Sequence, residues 1–184
     1  MQNDPKPDLA EPMHEAIFWR GLFVHRYAGV EHTVTELLLR AGARPEYIGF
    51  GPLPYPWPKK LARLTKLIDS PGPLRRYAAP IREYLTPLTG VEQHRHLLVH
   101  GMMSLNVLKN DPRMLYFKSH DWVDGEVGEV TLWLTIDELI EMTQGMGPLV
   151  QAFTRLVAQI FTEADLMPIQ VADRKEMAID YRKL

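Results

Sequence analysis

From Glu15 to Ala41 the apolar residues Phe18, Leu22, Phe23, Tyr27, Val30, Val34, Leu37, Leu38 and Ala41 recur at spacings of three and four. That period predicts one long amphipathic helix, stopped by Gly42. Between Ala43 and Pro58, prolines at 45, 52, 54, 56 and 58 and glycines at 49 and 51 forbid a continuous helix or a central strand, so this stretch reads as a long structured loop. Lys59 to Ile68 predicts a short helix ended by Ser70-Pro71-Gly72, and Leu74 to Leu85 a second one, bent before Pro80. Val91 to Leu108 predicts a further helix.

The period then changes. Met114 to Phe117 and Val130 to Leu134 are short runs of strand-forming residues joined across Asp124-Gly125 and Gly128, which predicts a β-hairpin over about residues 113–134. Thr135-Ile136-Asp137-Glu138 fits a capping box that opens a last long helix to about Ala164, with a kink expected at Gly145-Met146-Gly147-Pro148. The reading is an all-α, up-and-down bundle of about five helices with one small β-hairpin inserted before the last helix. Residues 1–12 are expected to be a flexible segment, 13–167 a single helical domain, and 168–184 a polar tail.

Composition narrows the classes of function. A chain of 184 residues with 46% hydrophobic and 24% charged residues suits one globular domain that buries roughly 70% of its unfolded surface. The chain has no cysteine, which removes disulfides, thiolate metal sites and thiol nucleophiles. Neither a signal peptide nor a membrane-spanning apolar run is read, so a cytoplasmic location without membrane partners is the expectation. A net charge of −2 argues against a general nucleic-acid coat, yet the charge is uneven. Trp57 to Arg82 carries Lys59, Lys60, Arg63, Lys66, Arg75, Arg76 and Arg82 against Asp69 alone, a local +6. Lys59, Lys60, Arg63, Lys66, Arg75 and Arg76 are therefore candidates to contact RNA phosphates, the other reading being a solvated helix face. Phe50, Tyr55 and Trp57 beside them offer faces for base stacking or for packing of the loop.

Chemistry concentrates in Arg95-His96-Leu97-Leu98-Val99-His100. An arginine is a permanent cation shaped to hold a phosphate, and a histidine moves protons near neutral pH. On a helix, residues five apart sit about 140° around the axis, so Arg95 and His100 flank one broad face, while His96 and His100 are stacked. In the nuclease reading Arg95 orients the scissile phosphate, His100 is the acid or base, and the 2′-hydroxyl of RNA is the nucleophile, with no metal or cofactor. So sparse a site gains from a second copy supplied by a two-fold partner. A metal reading uses Glu92, His96 and His100, with Glu31, His32 or His25 from the first helix, although no HExxH sequence is present. In the bland reading Arg95 pairs with Glu92 or another carboxylate and the histidines bond across a packing seam. Ser104 and Ser119-His120-Asp121 supply triad residue types, but no elbow sequence holds a serine.

Arg95, the polar His96 and His100 followed by Gly101, late in a helical chain, resemble the signature of the HEPN superfamily. The resemblance is specific at 95–101 and general over roughly 13–163. It implies a helical bundle that dimerises and brings two Arg/His pairs to one cleft, and a metal-independent endoribonuclease of toxin-antitoxin or phage-defence type that leaves 2′,3′-cyclic phosphate ends. Arg95 and His100 would be catalytic, Glu92 and His96 supporting, RNA the substrate and an antitoxin protein a partner. The family often has Asn where this chain has His96, and the hairpin is an addition to the simplest bundle. The alternative is a non-catalytic HEPN-like interaction or nucleotide- or RNA-binding module.

Overall fold

The long first apolar stripe folds as α1, Ala10–Gly42, in a computed structural model that describes residues 10–105, 113–123 and 126–166. The helix starts ahead of the predicted Glu15, so residues 10–12 of the expected flexible segment are helical. Its buried face carries Ala16, Phe23, Tyr27, Val30, Val34, Leu37, Leu38 and Ala41. The partner of that face is α5, Ile136–Glu163, whose cap is the box foreseen in the sequence. Thr135 Oγ1 accepts from the Glu138 N–H at 3.1 Å, and Glu138 Oε2 accepts from the Thr135 N–H at 2.6 Å. Two orphan amides of the first turn are thereby satisfied.

The contacts advance together along α1 and α5, so the two helices run parallel. Thr143 Oγ1 donates to the Trp19 carbonyl at 3.5 Å, a Cβ on Gly29 would lie 3.6 Å from Val150, Thr33 and Thr154 hydroxyls are 3.4 Å apart, and the Arg40 guanidinium sits 4.0 Å over the Phe161 ring. α5 is continuous through Gly145 to Pro148, where a kink was expected. Arg26 reaches across from α1 and donates to the Thr143 carbonyl beside that proline.

The loop after α1 contains a 3₁₀ turn, Pro45–Phe50, that buries Tyr47. The Tyr47 hydroxyl accepts from the Leu74 N–H at 3.0 Å. Gly72 (φ +148°) passes so close that a Cβ there would lie 2.5 Å from the same hydroxyl, so only glycine serves. α2 is Trp57–Asp69 and begins two residues before the predicted Lys59, because prolines in a first turn surrender no hydrogen bond. It buries Trp57, Leu64, Leu67 and Ile68 and turns Lys59 and Lys66 outward. The predicted Leu74–Leu85 helix is in fact a 3₁₀ turn, Arg75–Tyr77, followed by α3, Ala78–Gly90, which runs through Pro80 and Pro87.

The larger correction concerns the motif helix. α4 covers Glu92–His100 only, and Met102–Leu105 is a strand, β1, where a helix to Leu108 was expected. β1 pairs antiparallel with β2 (Met114–Val123), which pairs with β3 (Glu126–Thr135), so the expected hairpin is part of a three-stranded sheet in the order β1-β2-β3. Leu115, Phe117 and Leu134 face the core, while Tyr116 and Trp133 meet on the outer face with ring centroids 4.5 Å apart and planes tilted by 45°. The molecule is thus largely helical with a small antiparallel sheet, and the buried residues form a core to which α1 to α5 and the sheet all contribute. The polar tail at 168–184 lies outside the described residues.

Candidate functional site

α4 is short because of what surrounds its two ends. Glu92 opens it next to α3, and Gly101 closes it with an extended backbone that leads straight into β1. A Cβ on Gly101 would lie 2.4 Å from the Leu97 carbonyl oxygen, so the residue after His100 has to be glycine for the chain to leave the helix here. The carbonyls that a helix end leaves without partners are met by a side chain from α1. Arg20 Nε donates to Leu98 O at 2.7 Å and Nη2 to Gly101 O at 2.9 Å, with Val99 O at 3.4 Å. Burial lowers the Arg20 pKa, and its guanidinium lies 5.7 Å from the centre of the Phe117 ring. Leu97 and Leu98 fix the inner side of α4 in the core, which leaves Arg95 and His100 on the side turned to α1 and α2.

Both residues line one surface cavity of about 560 Å³ between α1, the start of α2 and α4. Lys60 shares it and donates to Thr35 Oγ1 at 3.0 Å. Arg95 is fixed from α1, because Nη2 donates to Glu31 Oε1 at 2.7 Å and the guanidinium carbon stands 5.4 Å from the centre of the Tyr27 ring. The side chain is only 16% exposed. One cationic edge is thus held by a carboxylate, in keeping with the bland reading, though the carboxylate is Glu31 and not Glu92.

Under the cavity lies a knot of polar atoms. Tyr27 Oη, Trp57 Nε1 and Arg95 Nε are buried without a hydrogen-bond partner. Burial pushes Tyr27 up to about 12, with the charge of Arg95 pulling against it and Glu92 adding to it, so the hydroxyl stays protonated. The buried indole packs edge-on to the Tyr27 ring at 5.9 Å.

The remaining candidates separate. His96 places its ring 5.2 Å from that of His100, as i, i+4 spacing requires. Lys59, Arg63 and Lys66 line a neighbouring cavity of about 290 Å³ together with Phe50 and Pro54. Arg75 and Arg76 are in the 3₁₀ turn before α3, away from both cavities, and Arg76 is engaged with the Glu163 carbonyl at 2.7 Å. The seven cations that look contiguous in sequence are therefore divided by the turn at Ser70-Pro71-Gly72. Among the described residues no three His, Asp or Glu side chains are gathered to hold a metal ion, so Glu92, His96 and His100 do not form the ligand set that their spacing suggested. No described helix is long and apolar enough to cross a membrane.

Sequence reasoning missed Arg20 and Tyr27, and it named Glu31 only as a metal ligand. Arg20 had a signal, since it interrupts the apolar stripe of α1 four residues after Ala16 and three before Phe23. No family model, curated protein or solved structure matches the chain.

Proposed function

We propose that the Arg95/His100 cavity cleaves RNA without a metal, in the manner of the HEPN nucleases whose signature residues 95–101 resemble, with the helices arranged as a bundle of that kind. The observation that supports this reading best is the opening of Arg95 and His100 of α4 and Lys60 of α2 onto one surface cavity. Arg95 and Lys60 supply positive charge for a phosphodiester, and Glu31 fixes Arg95 so that little ordering is left for the moment of binding. His100 takes the proton of the 2′-hydroxyl, the 2′ oxygen bonds to phosphorus, and the bond from phosphorus to the 5′ oxygen breaks. A second copy of the chain, paired about a two-fold axis, brings another His100 to protonate the departing 5′ oxygen. The products are a 2′,3′-cyclic phosphate and a 5′-hydroxyl. His96 and Glu92 support His100 and the buried edge of the site.

A second reading is favoured by the Arg95–Glu31 pair itself. A guanidinium already bonded to a carboxylate is also what a non-catalytic interaction or RNA-binding module would hold. Incubation of wild type and His100→Ala with mixed RNA in EDTA separates the two. Cleavage by wild type alone, with cyclic phosphate ends, is the expected result. Intact RNA in both reactions, with the purified protein folded and dimeric, supports the binding module and overturns the nuclease.

A further inference from the structure

The Arg95/His100 cavity and the Lys59/Arg63/Lys66 cavity are neighbours, and the wall between them has an unusual composition. Pro56 and Tyr55 line the first, and Pro54 lines the second. Flanking prolines restrict the backbone on both sides of Tyr55, and Arg63 holds the loop by donating to Gly51 O at 3.0 Å and to Pro52 O. Tyr55 is 94% exposed on this fixed support. The other two aromatic residues of the segment are engaged, since Phe50 packs edge-on to Tyr47 at 6.1 Å and Trp57 to Tyr27. Of the three, Tyr55 presents the most open ring, Phe50 being half-buried and Trp57 buried. Beyond the wall, Lys59, Arg63 and Lys66 fall at i, i+4 and i+7 of α2 and line the second cavity, whereas Lys60, turned about 100° from Lys59, points into the first. Lys59 and Lys66 are exposed and form no ion pair among the described residues, in contrast to Arg76 and Arg82, which meet Glu163 and Asp69.

We propose that Tyr55 and the Lys59/Lys66 face of α2 form a subsite for the nucleotides flanking the scissile phosphate, so that the substrate is a single strand. The inference rests on the RNA reading of the first cavity and adds what lies next to it. An unpaired base stacks on Tyr55, and the strand turns over the Pro54-Tyr55-Pro56 wall and lays its following phosphates on Lys59 and Lys66. A duplex has no free base face for Tyr55.

The test compares a dinucleotide, which fills only the first cavity, with a single-stranded oligonucleotide of roughly ten residues that reaches both. Cleavage kinetics are measured for wild type, Tyr55→Ala, Tyr55→Phe and the Lys59→Ala/Lys66→Ala pair. Expected for the Lys59→Ala/Lys66→Ala pair, which lines only the second cavity, is a raised KM for the longer strand with the dinucleotide KM left unchanged, and for Tyr55→Ala a KM for the longer strand raised roughly tenfold, a smaller rise for the dinucleotide, and wild-type behaviour restored by Tyr55→Phe. The lysine pair should also lower the slope of log affinity against log salt by about 0.7 for each phosphate that is no longer neutralised. Unchanged KM for the longer strand in these variants overturns the subsite and leaves the first cavity standing. An equal loss on both substrates in Tyr55→Ala confines Tyr55 to the first cavity and overturns the flanking role. If wild type neither binds nor cleaves either substrate, the RNA reading falls and the subsite falls with it.

Discussion

At the scale of single residues, the site depends on two side chains that carry no chemistry of their own. Arg20 closes the end of α4 by donating to Leu98 O and Gly101 O, and Glu31 anchors Arg95. Replacing Arg20 by Met keeps most of its bulk but strands those partly buried carbonyls. Charge-assisted bonds of this kind are worth about 1.5–3 kcal/mol, so Arg20→Met should lower unfolding stability by about 2–3 kcal/mol in urea denaturation. His100 sits on the turn that Arg20 secures, so cleavage should fall more steeply than the folded fraction. Gly101 shows how a local motif acquires a physical reason. The glycine after the histidine was legible as a pattern, but its cause, the approach to the Leu97 carbonyl, needed the turn into β1. Glu31 was not legible as the partner of Arg95, because nothing in a sequence says which carboxylate of a 33-residue helix faces a cation 64 positions away.

At the scale of elements, the long amphipathic helices were the easiest to read, since nine buried residues of α1 keep a helical period and the capping box of α5 sits in four consecutive residues. The error at Val91–Leu108 has a clear origin. Met102-Met103-Ser104-Leu105 is apolar enough for a helix or a strand, and only the pairing of Met103 with Phe117 and Leu105 with Leu115 decides it. A smaller link ties the start of α3 to the end of α5. The Tyr77 hydroxyl donates to Glu163 Oε2 at 2.7 Å, and this bond, with one from Gln159, holds the Glu163 carboxyl below its ordinary pKa. A depressed carboxyl stabilises the fold above its unfolded pKa and loses that contribution as pH falls through the folded value. Tyr77→Phe should therefore be less stable than wild type at neutral pH, and the gap between their urea midpoints should narrow as pH drops below the ordinary carboxylate range. A gap constant with pH would show that the bond does not set the carboxyl.

At the scale of the whole molecule, the parallel α1 and α5 form a frame on which α2 and α4 are set so that their polar faces meet over Tyr27 and Glu31. Convergence of this kind is a property of tertiary structure. The basic run at 59–82 looked like one patch in sequence, yet the fold keeps Lys60 at the Arg95/His100 cavity, puts Lys59, Arg63 and Lys66 next door and sends Arg75 and Arg76 elsewhere. The proposed cleavage requires Arg95 and His100 to act as one site. A double-mutant cycle on the rate of RNA cleavage addresses it directly, with wild type, Arg95→Ala, His100→Ala and the double variant assayed in EDTA after each is shown to be folded. Residues that act as a unit are grossly non-additive, so either single variant should lose about as much activity as the double. Losses that add, or a single variant that cleaves like wild type, would contradict it.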